Sequence, residues 1–209
     1  MILSAISMSL IFLVDGVWLT LILRNGIADI LLALVLLLFA HIASCIVATH
    51  LLRQFFPIVE GEFPLSSREV GYWQAQAVVA LLGCIYFTPF VPFFLKPLWY
   101  RLFGARIAAG AVASGNILDC SLIRMEAGSS LGADAMVLGH IVMDGRVRIG
   151  TVHIERNAIV GAKSLIMPGA KIGAGATVGA MSLVASGKVI PANETWIGIP
   201  ARKLDKTGF

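Results

Sequence analysis

The 209 residues carry sixteen Lys and Arg against twelve Asp and Glu, a formal net charge of +4, and 58% of them are hydrophobic, with a mean hydropathy of +0.88. That is too apolar for an ordinary water-soluble domain and long enough for only one or two domains. The charge excess lies wholly in residues 105–209, which hold eleven basic and seven acidic groups; it is dispersed there without any nucleic-acid motif, which argues against nucleic acid as a partner.

Residues 1–23 contain one formal charge, Asp15, and residues 27–52 only Asp29. Each run is long enough to cross a hydrocarbon layer of about 30 Å and reads as a transmembrane helix. The N-terminus has no basic n-region and no small-residue cleavage pattern, so the first segment is expected to be retained. A third apolar stretch, 72–95, lacks charge but is bent or broken near its end by Pro89 and Pro92; it spans or lies partly in the interface. Asp15, Asp29, His41 and His50 should face protein, water or headgroups. Asp15, mid-segment, either lines an acceptor path or bonds a neighbouring helix through a polar face with Ser7 or Thr20, helix packing being the safer reading.

Residues 55–69 contain Pro57, Gly61, Pro64 and several charges and read as a connection, with Ser67 a cap for the segment after it. Trp99, Tyr100 and Phe103 beside Lys96 and Arg101 read as an aromatic interfacial belt. The chain thus divides into a membrane module, 1–104, with two to three transmembrane helices and an interfacial linker, and a second domain, 105–209.

In that second domain Ile154, Val160, Ile166, Ile172, Val178, Val184, Ile190 and Trp196 stand six residues apart without a break. Small residues (Ala158, Ser164, Ala170, Ala176, Ser182) stand two places before the following aliphatic, so large and small side chains alternate toward one interior. Asn157, Lys163, Gly169, Gly175, Met181, Gly187 and Asn193 occupy the third place after each aliphatic. Gly or Asn at five of these seven suits corners with positive φ. Three such sides make an 18-residue triangular coil, the signature of a solenoid. Before Ile154 the hexads are irregular, as a terminal repeat that needs a cap would be.

Runs such as Val160-Gly161-Ala162-Lys163-Ser164 and Val178-Gly179-Ala180-Met181-Ser182 resemble the hexapeptide-repeat acyltransferases. The resemblance implies a left-handed parallel β-helix, so the fold class expected is an α+β membrane protein: N-terminal transmembrane helices followed by that β-helix. Phe63-Pro64-Leu65-Ser66 and Gly104-Ala105-Arg106-Ile107, with the preceding apolar stretches, resemble the membrane-embedded C-terminal part of poly-lysine synthetase-like nonribosomal enzymes.

Val137 and Ile154 are seventeen residues apart, not a multiple of six, so a loop must leave the coil between them, and loops on rigid scaffolds often carry function. Gly139-His140 before this loop resembles the galactoside-type acetyltransferases, whose histidine at this place is the general base; His140 is the matching residue. Neutral imidazole is suited to taking a proton from an acceptor hydroxyl or amine as it attacks a thioester. Asp144, four residues on, matches the His-x-x-x-Asp arrangement of the synthetase-like domains and would orient the imidazole or contact an acceptor. His153, outward on its strand, reads as structural.

The resemblance further implies acetyl-CoA or another acyl-CoA as donor, bound between subunits of a homotrimer. The matching cofactor positions are Gly161, Ala162, Gly179, Ala180 and Ser186, with Lys188, Arg202 and Lys203 toward its phosphates; Lys163 and Lys171 are weaker candidates. Packing inside the coils competes for the small residues, and simple solvation for the cations. No metal is expected: two histidines and no nearby cysteine leave a catalytic zinc set incomplete. Cys45, Cys84 and Cys120 have no spacing suited to a disulfide framework.

The reading is a multi-pass protein of the inner, cytoplasmic membrane, with the β-helix in the cytoplasm. It would transfer an acetyl or short acyl group to a hydroxyl or amine of a membrane-proximal acceptor, such as a lipid-linked sugar or surface-polymer precursor. A carrier-fed, amide-bond-forming enzyme and a non-catalytic trimeric membrane scaffold are the alternatives.

Overall fold

The computed structural model describes residues 2–24 and 30–204, so Asp29 lies outside the described residues. The chain forms two units, Met1–Ile58 with Ser66–Phe87, and Val59–Leu65 with Thr88–Phe209.

The first unit packs three helices: α1 (Ile2–Arg24), α2 (Ile30–Phe55) and α3 (Arg68–Ala80), the last continuing as a π-helical turn over Leu81–Ile85. Ser67 caps α3, its hydroxyl accepting from the Val70 amide at 3.2 Å. The segments Ser4–Leu21, Leu32–Phe55 and Arg68–Phe90 are each long and apolar enough to cross a membrane. Burial in this unit inverts the order of a soluble protein: Leu13 and Phe39 are about two-thirds exposed while Ser7, Thr49 and Gln76 are buried. Thr49 donates to the Cys45 carbonyl at 2.9 Å, and the Gln76 side-chain NH2 to that of Phe56 at 2.9 Å. Asp15 bonds the neighbouring helix, as the packing reading expects, through His41 on α2, Oδ2 to Nδ1 at 2.6 Å. Thr20 instead bonds the Gly16 carbonyl of its own helix, because a short hydroxyl on a helix reaches its own preceding turn first. The other His41 nitrogen lies 3.4 Å from the Leu82 carbonyl in the π-helical turn.

In the second unit the hexads produce three parallel sheets. One side stacks Arg106–Ile107, Ile123–Met125, Val152–Ile154, Lys171–Ile172 and Val189–Ile190. The next side stacks Val112–Ala113, Ser130–Leu131, Ile159–Val160, Thr177–Val178 and Thr195–Ile197. The third stacks Asn116–Ile117, Met136–Val137, Leu165–Ile166 and Leu183–Val184. Ile154, Ile172 and Ile190 sit in direct register on successive coils. The aliphatics from Ile154 to Ile190 and the intervening Ala158, Ser164, Ala170, Ala176 and Ser182 are fully enclosed. All seven corner positions named from the sequence have positive φ, including Lys163 at 56° and Met181 at 54°.

The first coil is closed by α4 (Lys96–Leu102). Tyr100 and Phe103 are buried against it, and the Tyr100 hydroxyl donates to the Gly115 carbonyl at 2.9 Å. Arg101 donates to the carbonyls of Ile107 and Ala108, at 2.6 and 2.9 Å, and Lys96 to that of Ser114 at 3.0 Å. Tyr100 and Phe103 are therefore not interfacial anchors, because an open solenoid end exposes core and carbonyls that these side chains cover.

Between the second and third coils the chain leaves as a hairpin, His140–Met143 and Arg146–Ile149, turned by Asp144-Gly145 with φ of 51° and 71°. Positive φ at both central residues is the demand of a tight hairpin turn that Asp-Gly meets. The linker segment Gly61–Pro64 pairs antiparallel with Arg146–Ile149 and makes a three-stranded sheet. Its fastenings are Glu60 accepting from the Thr151 amide and hydroxyl at 3.0 and 2.7 Å, and Glu62 accepting from Arg148 Nε at 2.6 Å.

Gly161 shows how closely the coils approach: a Cβ there would stand 2.4 Å from the Ala180 nitrogen and 2.7 Å from the Gly179 carbonyl carbon. Gly161→Val is expected to destabilise the fold by about 3 kcal/mol through overpacking against backbone that cannot yield. Unchanged thermal unfolding of the detergent-purified variant would contradict this.

Candidate active site

The site forms at the corner where the third side ends. Asp119 follows the Asn116–Ile117 strand and caps a short 3-10 turn, Cys120–Leu122, whose Leu122 amide bonds the Asp119 carbonyl at 2.9 Å. One coil on, Gly139 and His140 follow Met136–Val137, which pairs in register with Asn116–Ile117. Stacking therefore sets residue 119 against residue 139. Asp119 Oδ2 accepts the Gly139 amide at 2.9 Å and lies 2.7 Å from His140 Nδ1. The approach needs glycine at 139, where a Cβ would come within 2.8 Å of Asp119 Cβ and 2.6 Å of a Leu122 methyl.

The carboxylate is almost wholly enclosed, at 5% exposure, while the imidazole keeps 24%. A carboxylate at Nδ1 fixes that nitrogen as the proton donor and leaves the lone pair on Nε2, the tautomer a general base requires. Asp144 does not share this work. It stands at the far end of the extended run from His140, about 13 Å along a strand, and lines a cavity instead.

That cavity, about 440 Å³, opens beneath the hairpin. Ile141, Met143 and Asp144 form one wall, Met167, Leu183, Ala185 and Ser186 of the coils another, and Glu62 of the linker strand joins Arg146 and Arg148 at its edge. Its size suits a small organic group. His140 is adjacent to it in the chain, next to Ile141, and is not itself among the lining residues.

Of the cofactor positions drawn from the sequence, Ser186 lines this cavity. Gly161-Ala162 and Gly179-Ala180 lie at the preceding corner, at the other edge of the third side, where their backbones stack coil on coil. Lys188 sits with its ammonium 4.5 Å from the centre of the Trp196 ring. Lys203 contacts Glu194 at 2.5 Å, and Arg202 is exposed on the strand that folds back onto Thr195–Ile197. The Lys203 hydrogen bond, and after it that of Trp196, holds the Glu194 carboxyl below its ordinary range. His153 bonds Glu126 at 2.9 Å, whose other oxygen accepts the Arg156 amide at 3.0 Å, so this histidine secures a corner. Among the described residues no group of three or more His, Cys, Asp or Glu is disposed to hold a metal ion.

Asp119 and the linker strand are the parts of the site that sequence reasoning missed. The eight-residue step from Ile117 to Met125, against the six of the regular coils, marked extra chain at this corner in the same way as the seventeen-residue gap did.

A profile of the family described as bacterial transferase hexapeptide (six repeats) matches residues 151–186. The delta-poly-L-ornithine synthetase of Acinetobacter baumannii (strain AB307-0294) is 31% identical over 142 residues, 66% of this chain and 10% of that protein, so the chain spans about a tenth of the relative's length. Among solved structures, the hexapeptide-repeat acetyltransferase VCA0836 from Vibrio cholerae superposes with a TM-score of 0.50 at 16% identity, covering 67% of this chain and 93% of that one; this likeness is one of fold. Residues 151–186 thus match the bacterial transferase hexapeptide repeat, and the stacked coils share the fold of a hexapeptide-repeat acetyltransferase.

If Asp119 sets the imidazole tautomer, Asp119→Asn is expected to lower turnover roughly 10²–10⁴-fold, and Asp144→Asn to stay within about tenfold of wild type, as for a peripheral acceptor contact worth up to about 1.4 kcal/mol. Steady-state kinetics on the two variants decide this, and equal losses would remove the special role of Asp119.

Proposed function

We propose that this protein is a membrane-anchored acyltransferase that moves an acetyl or other short acyl group from acyl-CoA to a hydroxyl or amine of a membrane-proximal acceptor. The observation that carries the reading is the Asp119–His140 pair at the root of a hairpin that walls a cavity. The acceptor N–H or O–H gives its proton to His140 Nε2 as its heteroatom attacks the thioester carbonyl. The tetrahedral intermediate collapses with loss of CoA thiolate, which takes the proton back from the imidazolium. Asp119 stabilises the imidazolium between these steps without itself being protonated.

Membrane anchoring is supported by the three long apolar helices and their outward-facing Leu and Phe side chains. We place the protein in the inner membrane with the β-helix on the cytoplasmic side, where acyl-CoA is present, and read a homotrimer from the family. Confinement to the same surface raises the effective concentration of a lipid-linked acceptor. A second reading has its own support in the synthetase relative: an amide-forming enzyme fed by a carrier-bound thioester.

Detergent-purified wild type and His140→Ala, supplied with acetyl-CoA and a panel of membrane-lipid and sugar acceptors, separate these. Saturable acetyl-CoA binding by both, with thiol release falling about 10²–10⁴-fold in the variant, is the expected result. Absence of acetyl-CoA binding by wild type would favour the carrier-fed enzyme, and unchanged function in His140→Ala a scaffold.

A further inference from the structure

Within the β-helical unit, the run that leads into the first coil buries Tyr100 and Phe103 but turns other large side chains outward. Phe90, Phe93, Phe94, Leu98 and Leu102 are 82, 63, 67, 53 and 39% exposed. A ridge of apolar side chains this exposed is unfavourable in water and marks a surface that meets something apolar. α4, which carries part of it, is held to the first rung by the Arg101 hydrogen bonds to Ile107 and Ala108.

That same rung presents Arg106, exposed, at the edge of an open hollow of about 620 Å³ that Arg124 and Arg156 also line. Arg106 and Arg124 stand in direct register on adjacent parallel strands, about 4.8 Å apart. Like charges set side by side in this way destabilise a sheet. None of the three guanidinium groups enters an ion pair among the described residues. Glu126, the carboxylate of the hollow, is engaged by the His153 ring and the Arg156 amide.

We infer that this surface seats the β-helical unit on a bilayer with anionic phosphate headgroups, the ridge entering the apolar side of the interface and Arg106, Arg124 and Arg156 reaching the phosphates. A bilayer interface satisfies both halves at once. A second copy docked through this same face would set arginine against arginine, and a soluble phosphate ligand would leave the ridge in water. The guanidinium fork suits phosphate oxygens, and two forks one strand apart can share a single headgroup.

The test uses the full chain in nanodiscs of phosphatidylcholine alone or mixed with phosphatidylglycerol. Arginine modification by phenylglyoxal is followed peptide by peptide. In the mixed discs Arg106, Arg124 and Arg156 are expected to react about fivefold more slowly, with protection lost in high salt; Arg202, on the last coil, should not change. Equal rates in both discs would overturn the inference, as would protection by inorganic pyrophosphate in detergent without lipid, which would mark a soluble-ligand site. A Phe94→Trp variant adds the apolar half: its fluorescence should be quenched by brominated phosphatidylcholine, and absence of quenching would overturn the seating of the ridge.

Discussion

Everything in the β-helical unit depends on how closely one coil lies on the next. Backbone hydrogen bonds join each rung to the rung one coil on, such as the Gly161 amide to the Val178 carbonyl and the Gly179 amide to that of Trp196, both at 2.8 Å. At that spacing the inner line of each corner has no room for a large side chain, which is why Ser164 and Ser182 stand enclosed beside Gly161 and Gly179. The Ser164 hydroxyl donates to the Gly179 carbonyl and the Ser182 hydroxyl accepts the Gly198 amide, so the small polar residues tie coils together as well as fit between them. A coil closed this tightly cannot absorb one extra residue within a side. Extra chain must leave at a corner, and here it leaves after the third side.

The placement of the site is a result of that constraint. Because Ile117 and Val137 pair in register, the residues two places beyond each are neighbours, and these are Asp119 and Gly139. The aspartate is enclosed by its own short turn and answers two donors, one from the backbone that launches the hairpin and one from the imidazole next along the chain. A buried carboxylate without such partners would be strongly disfavoured. With them it fixes both the departure of the loop and the orientation of the ring, so the proposed chemistry and the local fold rest on the same oxygen.

Period, interior and corners were legible in the sequence because they are local: an aliphatic, a small residue and a turn residue recur within six positions, and even Lys163 and Met181 occupy the corner conformation that Gly and Asn announce elsewhere. His140 was legible through the break in that period. The partner of His140 was not, since nearness in sequence favoured Asp144, whereas an extended strand carries residue 144 away and coil stacking brings residue 119 in from twenty-one positions back. Likewise, Pro57, Gly61 and Pro64 signalled only a connection. That Gly61–Pro64 becomes a strand depends on an edge created by Arg146–Ile149 some eighty-five residues later. Tyr100 and Phe103 misled for a related reason: an aromatic pair beside cations has the composition of a membrane interface, and only the open end of the solenoid decides that it turns inward.

A two-stranded hairpin is marginal by itself, and a third strand with side-chain fastenings changes its standing. Glu60 and Glu62 supply those fastenings to Thr151 and Arg148, on the return strand and just beyond it. The segment that contributes them is bounded in sequence by α2 on one side and α3 on the other, so its two ends are continuous with the apolar helices that we read as membrane spans. Glu62, at the edge of the cavity, therefore stands on a segment that lies in sequence between two apolar helices. On the proposed reading of those helices as membrane spans, anchoring has a second consequence beyond raising concentration: the hairpin that walls the cavity is completed by a strand continuous in sequence with them.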